Sequence, residues 1–374
     1  MSRARDIADF GSVSARLDTV GGSEGALSNR NILMNGAQVI SQRGTSALTS
    51  SASSDTFITD RFRISNYSDA TFTGQQVADA PTGFEYSTKV TTTGTDTSLA
   101  AGQYQRFITA IEGYNMNHLM YGSSSAKTCT LTFHVKSSLT GQFYVFGFNS
   151  AANRSIVVGY TIDAANTWEK KTLTIAGDTS GTWLTTNGAG MYFGWSLGSG
   201  TNFHTTTTDA FQAGFYMAKS DQVNVAGTSS ATWQITGVQL EVGDTATDFE
   251  HRTFANELRR CQRYFERRGT DTSGWEFIAD AGQLTSATNY QIAVRFNEQM
   301  RAAPTLSRTG NLSDVYLVRA SNIFAVSSVT LADNTNGRTV LLTGTVANTS
   351  GSAGEQTRMQ TLTAGTNFFF DAEL

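Results

Sequence analysis

Alternation of apolar and polar residues is the feature that most limits the folds open to this sequence. In "MYFGWSL" the apolar residues Met191, Phe193, Trp195 and Leu197 recur at every second position. Successive side chains of a β-strand point to opposite faces, so this period predicts a strand with one buried face. The segment "YQIAVRF" at 290–296 repeats the pattern. The sequence therefore favours strands over helices.

One strand contains a change of phase. In "WQITGVQLEV", Trp233 and Ile235 share one parity, whereas Val238 and Leu240 have the opposite one. A slip of one residue would turn the second pair to the other face of the sheet. An extra residue must therefore be accommodated between the pairs, and we predict a β-bulge at Gly237, since glycine tolerates the required backbone angles.

Two further segments are expected in the core. The segment "FYVFGF" at 143–148 is apolar at both parities and is predicted to be covered on both faces. Cys129 in "KTCTLTFHV" shares its parity with apolar neighbours and is predicted to be a small core residue. The second cysteine is Cys261, and reduced thiols are the simpler expectation, with a bridge between the two as the alternative.

Composition and loop chemistry point to the fold class. Charged residues make up 16% of the 374 residues, below the roughly 25% of ordinary soluble domains. The 35 glycines and only 2 prolines indicate turns that rely on glycine and asparagine. We predict an all-β chain with an antiparallel jelly-roll sandwich at 29–252 and a smaller C-terminal β-sandwich at 269–374.

A short amphipathic helix is predicted as the connector at 253–268. Its apolar positions Phe254, Leu258, Cys261 and Phe265 recur at steps of four, three and four residues. In one interpretation this apolar seam docks on its own domain, and the surrounding arginines are solvated or paired with nearby glutamates. In the other, three seams pack around a symmetry axis and form the interface of a homotrimer.

The N-terminal 28 residues differ from the rest of the chain. Ile7, Phe10 and Leu17 are the apolar positions of a weakly amphipathic stretch that runs into the flexible "GGSEG". Too few apolar groups are present for a core, so this segment is expected to order on a partner or to stay loose. The chain contains neither a signal-peptide pattern nor a run of about 18 apolar residues, so we expect cytoplasmic synthesis and no membrane span.

Several segments resemble one group of proteins. They are "NRNILMNGAQVISQRGTS", "ITGVQLEVGDTATDFEHRTFANELRRCQRYFE", "VRFNEQMRAAPTL", "FFFDAEL" and the N-terminal "SRARDIADF". These are similar to bacteriophage virion appendage proteins, above all tail fibres and adhesin-like proteins. In that group a carbohydrate-binding-module-like jelly roll ends where a helix of the "CQRYF" type begins. The resemblance implies a structural virion protein, often trimeric, whose N-terminus attaches to other virion proteins.

The resemblance leaves the place on the particle open. A tail-fibre subunit involved in host attachment is the first expectation, and a head fibre or capsid decoration protein is the alternative. A polysaccharide depolymerase is a third reading, but the four histidines lack ligand spacing and no nucleophile elbow or phosphate loop is present. We therefore predict no enzyme activity and no cofactor. A net charge of −4 gives no reason to expect nucleic acid.

The resemblance to carbohydrate-binding modules also suggests a sugar site. Trp183, Phe203 and His204 lie in loop-like sequence, where exposed rings could stack against a glycan. The alternative is that these rings pack beneath the loops. Related modules commonly hold a calcium ion through an aspartate near the final strand. This chain has Thr236 in that region, so no metal is predicted.

Overall fold

The structure is a computed structural model that describes residues 29–272, 274–319, 322–333, 337–347 and 351–374. The chain divides into two compact units between Thr253 and Phe254. The predicted attachment residues Ile7, Phe10 and Leu17 lie outside the described residues, so that prediction stays a prediction. No helix in the described part of the chain is long and apolar enough to cross a bilayer.

The first unit is a sandwich of two antiparallel sheets. Its strands are β1 (Leu48–Ser50), β2 (Ser54–Thr59), β3 (Phe62–Tyr67), β4 (Thr71–Val77), β5 (Ser87–Gly94), β6 (Tyr104–Glu112), β7 (Cys129–Ser137), β8 (Gly141–Asn149), β9 (Arg154–Ile162), β10 (Glu169–Ile175), β11 (Ala189–Ser199), β12 (Gln212–Ala213) and β13 (Thr232–Val242). The six-stranded sheet has the order β1-β4-β5-β13-β7-β10, and the seven-stranded sheet has the order β12-β9-β8-β11-β6-β3-β2. Single turns of 3-10 helix lie at Gly113–Asn115, Asn117–Leu119, Thr201–Phe203 and Val225–Gly227. The predicted all-β jelly-roll sandwich is thereby confirmed.

Large aromatic side chains fill the space between the two sheets. Trp195 from β11 and Trp233 from β13 are fully buried, as the alternation predicts. The Phe107 ring centroid lies 5.5 Å from that of Trp233, and the Phe133 centroid lies 5.6 Å from that of Trp195. Such rings bury large apolar areas and dominate the energetics of a core. Strands of both sheets thus meet on one aromatic layer.

The predicted β-bulge is present in β13. Thr236 pairs with His134, and the next pair is Gln239 with Thr132, so β13 carries one extra residue. Gly237 has a φ of +63°, in the left-handed region that favours glycine. Because of this slip, residues before and after the bulge both reach the core. The change of phase in the sequence is confirmed as a structural bulge.

The beginning and the end of the first unit are joined through Asn31. Its side-chain amide donates to the carbonyl of Val238 at 2.9 Å, and its Oδ1 accepts from the backbone N–H of Leu240 at 3.1 Å. The Glu250 carboxylate accepts the backbone N–H of Asn31 at 2.9 Å. Arg252 then donates to the Leu33 carbonyl at 3.2 Å. Buried backbone groups that no sheet satisfies are paired in this way.

The segment 143–148 is covered on both faces, as predicted. The residues of one parity belong to the core between the sheets. On the opposite face, Phe146 and Phe148 are buried beneath Met217 and pack with Phe215. The chain between β11 and β13 therefore forms an additional layer over part of the outer face of the seven-stranded sheet.

The second unit begins with α1 (Phe254–Gln262) and continues with β-strands. These are β14 (Phe265–Thr270), β15 (Glu276–Leu284), β16 (Asn289–Arg295), β17 (Thr305–Arg308), β18 (Val315–Arg319), β19 (Asn322–Asp333), β20 (Thr339–Val346), β21 (Gln356–Thr361) and β22 (Thr366–Asp371), with a 3-10 turn at Leu312–Asp314. Six strands close into a barrel in the order β15-β16-β20-β19-β18-β21, and β14-β22-β17 form a separate sheet. The expected second β unit is thus a barrel with a small sheet rather than two open sheets. The reason is that β15 pairs with both β16 and β21, which leaves the barrel no free edge.

The helix is shorter than the predicted range 253–268. It ends at Gln262 because the following residues pair with β22 as strand β14. Phe265 is therefore buried in a sheet, where its ring lies 5.7 Å from that of Phe369, and the prediction that it belongs to the helical seam is wrong. Of the remaining seam residues, Cys261 is buried, Leu258 is half-buried and Phe254 is exposed. Both cysteines are buried, and the structure forms no disulfide between them.

We predict that Gly237→Ala destabilises the first unit by about 2 kcal/mol or more, from backbone strain and overpacking together. A Cβ at this position would lie 2.6 Å from Cζ of Phe84 and 2.8 Å from Nδ1 of His134. Scanning calorimetry of the full chain measures the loss. Gly83→Ala is the matched control, since its φ is also positive but nothing lies within 4 Å of the added carbon. Equal effects of the two substitutions would contradict the packing argument.

Candidate functional site

Trp183 does not lie on the surface. It is only 7% exposed, and its ring packs edge-on against Tyr121 at 5.1 Å and Phe211 at 5.3 Å. Its indole N–H donates to the Asp178 carboxylate at 3.2 Å. The prediction of an exposed stacking ring is therefore wrong for Trp183, because loop residues bury the ring and a carboxylate satisfies its polar group.

Phe203 and His204 are half-buried at the end of a 3-10 turn. The Phe203 ring lies edge-on to Tyr104 at a centroid distance of 5.0 Å and 5.5 Å from Phe215. Nε2 of His204 lies 2.8 Å from the carbonyl oxygen of Ser199. Phe203 thus packs against the ring of Tyr104, and His204 contacts the backbone of strand β11.

A different set of aromatic side chains lies on the outer face of the seven-stranded sheet. The pairing of β3 with β6 places Tyr67 opposite Tyr104 and Ser65 opposite Arg106. Directly paired residues share a face, so all four side chains point away from the core. We call the surface formed by Phe57, Arg63, Tyr67, Tyr104, Arg106 and Tyr192 the tyrosine–arginine face.

Sequence alternation explains how this face arises. In "FRISNY" the apolar residues Phe62 and Ile64 are fully buried in the core, which turns Arg63, Ser65 and Tyr67 outwards. The sequence analysis missed this face because it looked for rings in loops. A signal was nevertheless present in the sequence. The outward-facing positions of two paired strands, β3 and β6, include tyrosine and arginine and not only small polar residues.

Tyr67 and Tyr104 form a ring pair on this face, and Tyr67 is its most exposed member. Tyr67 is 39% exposed, and its ring centroid lies 5.0 Å from that of Tyr104 with an angle of 32° between the planes. Burial raises the pKa of the Tyr104 hydroxyl, and the nearby Arg106 opposes this effect. Tyr104 is therefore a neutral hydrogen-bonding group at ordinary pH. The pair offers two adjacent rings with polar tips.

Arginines flank the two tyrosines. The Arg63 guanidinium carbon lies 5.3 Å from the ring centroid of Phe57 and 5.8 Å from that of Tyr192. The Arg106 guanidinium carbon lies 4.7 Å from the ring centroid of Tyr104. These distances fall within the range of cation–π attraction. Apolar ring faces next to fixed N–H donors can take a ligand that has both C–H surfaces and oxygen acceptors, which is the chemistry of a sugar.

The second unit also exposes aromatic side chains. Trp275 and Phe277 are exposed, and the Trp275 ring lies 5.7 Å from that of Tyr316. The Arg358 guanidinium carbon lies 5.5 Å from the centroid of Phe277. Arg358 itself is exposed, so this patch combines exposed rings with an exposed guanidinium group. Among the described residues, no group of three or more His, Cys, Asp or Glu side chains is placed to hold a metal ion.

Comparison with known proteins finds similarity in solved structures alone. No protein-family model matches the sequence, and no curated protein matches it. The structure is similar to the enzymatically active domain of tailspike protein 4 of bacteriophage CBA120, at 13% identity and a TM-score of 0.29. That match covers 57% of this chain but only 21% of the tailspike chain, so this chain spans about a fifth of the tailspike's length.

Carbohydrate-binding modules are also similar. A family 11 module of a cellulosomal cellulase from Clostridium thermocellum matches at 10% identity and a TM-score of 0.28, covering 52% of this chain and 99% of the module. A family 4 module matches at 13% identity and a TM-score of 0.28, covering 49% of this chain and 88% of the module. At these identities the likeness concerns the β-sandwich fold alone.

Proposed function

We propose that this chain is a structural subunit of a bacteriophage virion, mounted in a tail fibre, that attaches to a host surface glycan through the tyrosine–arginine face. The observation that carries the proposal is the tilted ring pair of Tyr67 and Tyr104, flanked by guanidinium groups on an outward sheet face. The role is binding rather than catalysis. Residues 1–28 supply the attachment to other virion proteins.

Three of the segments that resemble phage appendage proteins meet in one part of the second unit. Strands β14, β17 and β22, which come from "CQRYFER", "MRAAPTLS" and "FFFDAEL", form the three-stranded sheet. Arg301 joins them, because its Nε donates to the Ala372 carbonyl at 2.8 Å and its backbone N–H donates to the Arg263 carbonyl at 2.8 Å. This supports the placement in a virion, since the shared motif residues are those that build one structural module.

Attachment by such a protein depends on repetition. A single copy of the protein would bind a glycan only weakly, because the partly exposed rings of Tyr67 and Tyr104 bury little surface against a ligand. Several copies on one particle convert later contacts into intramolecular ones and raise the overall affinity. The same reasoning applies to a head fibre or a capsid decoration protein. A few copies at the tail in a labelled virion image would favour the fibre, and hundreds on the shell would favour decoration.

The assembly is proposed to be a homotrimer that forms through α1. Phe254 is 62% exposed, and Leu258, one turn further along the helix, is half-buried. The same helix carries arginines, and Nε of Arg260 donates to Oδ1 of Asn256 at 2.9 Å. An apolar stripe on such a helix can meet the same stripe of other copies.

Replacing Tyr67 or Tyr104 with alanine is expected to weaken binding to host cells about tenfold, because each substitution removes a stacking ring worth roughly 1–2 kcal/mol. Adsorption of the fluorescently labelled full chain to cells of the host strain measures the effect. Tyr114→Ala is the control, since Tyr114 is 58% exposed but follows the opposite end of β6. Equal loss in the control, or no loss in either variant, would contradict the assignment of the face.

Phe254→Ser is expected to convert the trimer into monomers in sedimentation velocity, because it removes the most exposed apolar group of the proposed interface. Trp275→Ser, which removes an exposed ring elsewhere in the same unit, is expected to leave the trimer intact. A trimer that persists in the Phe254 variant, or dissociates only in the Trp275 variant, would exclude α1 as the interface.

A further inference from the structure

We propose that the glycan taken by the tyrosine–arginine face is acidic, and that its anionic group pairs with the guanidinium of Arg106. This inference rests on the proposed glycan binding, which by itself requires no charge on the sugar. The shared chemistry is an oxyanion on a sugar ring, either the carboxylate of a uronic acid or a phosphate ester.

Arg106 occupies an unusual position for a charged residue. It is only 9% exposed, although its strand β6 turns it to the outer face of the sheet. On that face it lies between Ser65 of β3 and Ser196 of β11, which are its direct pairing partners. Neither partner carries a charge. Arginine is almost never buried to this degree unless it is paired.

Among the residues that the structure describes, Arg106 forms no ion pair. In the part of the protein that the structure describes, no carboxylate forms a salt bridge with it, and its buried Nε has no hydrogen-bond acceptor. Its one hydrogen bond is a weak contact from Nη1 to the Met217 sulfur at 3.9 Å. A guanidinium carries five N–H donors and stays protonated. Most of the N–H donors of this guanidinium therefore have no acceptor among the described residues.

Aromatic rings surround the guanidinium without satisfying its donors. Besides Tyr104, the rings of Phe148 and Phe215 have their centroids 5.4 Å and 5.7 Å from the guanidinium carbon. Ring faces attract the cation, but they do not accept in-plane N–H groups as an oxyanion does. Burial lowers the pKa of Arg106, and Arg63 adds to this effect, whereas Tyr104 and Asp55 oppose it. A bound anion would also oppose this lowering.

The Asp55 carboxylate on this face is already engaged. Oδ1 of Asp55 lies 3.8 Å from Nε of Arg63 and accepts the hydroxyl of Ser65. Asp55 therefore pairs with Arg63 at the edge of the sheet, and its charge acts on Arg106, beside the Tyr67–Tyr104 ring pair, without forming a salt bridge. A sugar stacked on these rings would bring a ring substituent towards the guanidinium of Arg106.

The test compares matched acidic and neutral polysaccharides. Affinity electrophoresis of the full chain is run in polygalacturonate and its carboxyl-reduced form, and in phosphomannan and its dephosphorylated form. We expect binding to at least one acidic polymer that is about tenfold to a hundredfold tighter than to its neutral counterpart, the range typical of hydrogen bonds to charged groups. The pair that shows the preference identifies the anionic group as a carboxylate or a phosphate.

Variants assign the preference to Arg106. Arg106→Gln is expected to remove the preference, and Arg106→Lys is expected to restore part of it because it keeps the charge. Arg358→Gln, which removes an exposed arginine that also lies over a ring, is expected to leave the preference unchanged. If Arg106→Gln does not fold, the Arg106→Lys variant carries the assignment, and loss of acidic but not neutral binding on raising the salt concentration shows that the preference is electrostatic.

The outcomes separate this inference from the proposed function. Equal binding of the acidic and neutral members of both pairs would overturn the inference and leave glycan binding in place. A preference that Arg106→Gln retains, with loss of thermal stability, would assign Arg106 to packing and also overturn it. Absence of binding to all four polymers, together with normal adsorption of the Tyr67→Ala and Tyr104→Ala variants to host cells, would remove both the inference and the face.

Discussion

The contact between the start of the first unit and its final strand is the interaction on which the sandwich depends. Asn31 satisfies backbone groups of β13 on both sides of Gln239, and Glu250 holds the backbone of Asn31 in return. β5 pairs with β13 only as far as Ile235, before the bulge at Gly237. Beyond that point the backbone of Ile32 and Gly36 supplies hydrogen-bond partners, and so does the Asn31 side chain. Without it, buried peptide groups would stay unpaired at the centre of the six-stranded sheet, at a cost of about 1–3 kcal/mol each.

This closure also determines where function can reside. One face of each sheet packs in the aromatic core. The residues of the other parity therefore contact either solvent or an additional layer of chain. The chain between β11 and β13 covers the outer face around Phe146 and Phe148 and stops short of Tyr67. The boundary of that layer lies at Tyr104 and Arg106. Because this apolar layer ends beside the buried guanidinium of Arg106, an apolar surface and a charged group lie next to each other.

Much of the architecture could be predicted from the sequence because alternation is a local property. The strand 191–197, the double-sided burial of 143–148 and the bulge at Gly237 all follow from the parity of apolar residues. The end of the helix did not follow, since Phe265 continues the helical spacing but is drawn into a sheet by β22, a strand about a hundred residues later. Pairing between distant strands overrides local periodicity.

The candidate site was less accessible to sequence analysis for a related reason. Loop position suggested that Trp183 is exposed, but its burial depends on Tyr121 and Phe211, which approach it from other parts of the chain. Arg106 in turn reads as an ordinary polar-face residue, because the covering layer that buries it starts nearly a hundred residues further on. Parity tells which residues face outwards, but only the tertiary structure tells which of them a second layer covers.

The central place of β13 has a consequence for synthesis. This strand lies between β5 and β7, although it leaves the ribosome long after both, and it meets Asn31 across 209 residues. Until β13 emerges, β5 and β7 each present an unsatisfied edge that any free strand of suitable pattern can occupy. When several chains mature side by side, the β13 of one chain fits the gap of another as well as its own. Correct pairing then depends on each chain closing its own gap before it meets its neighbours.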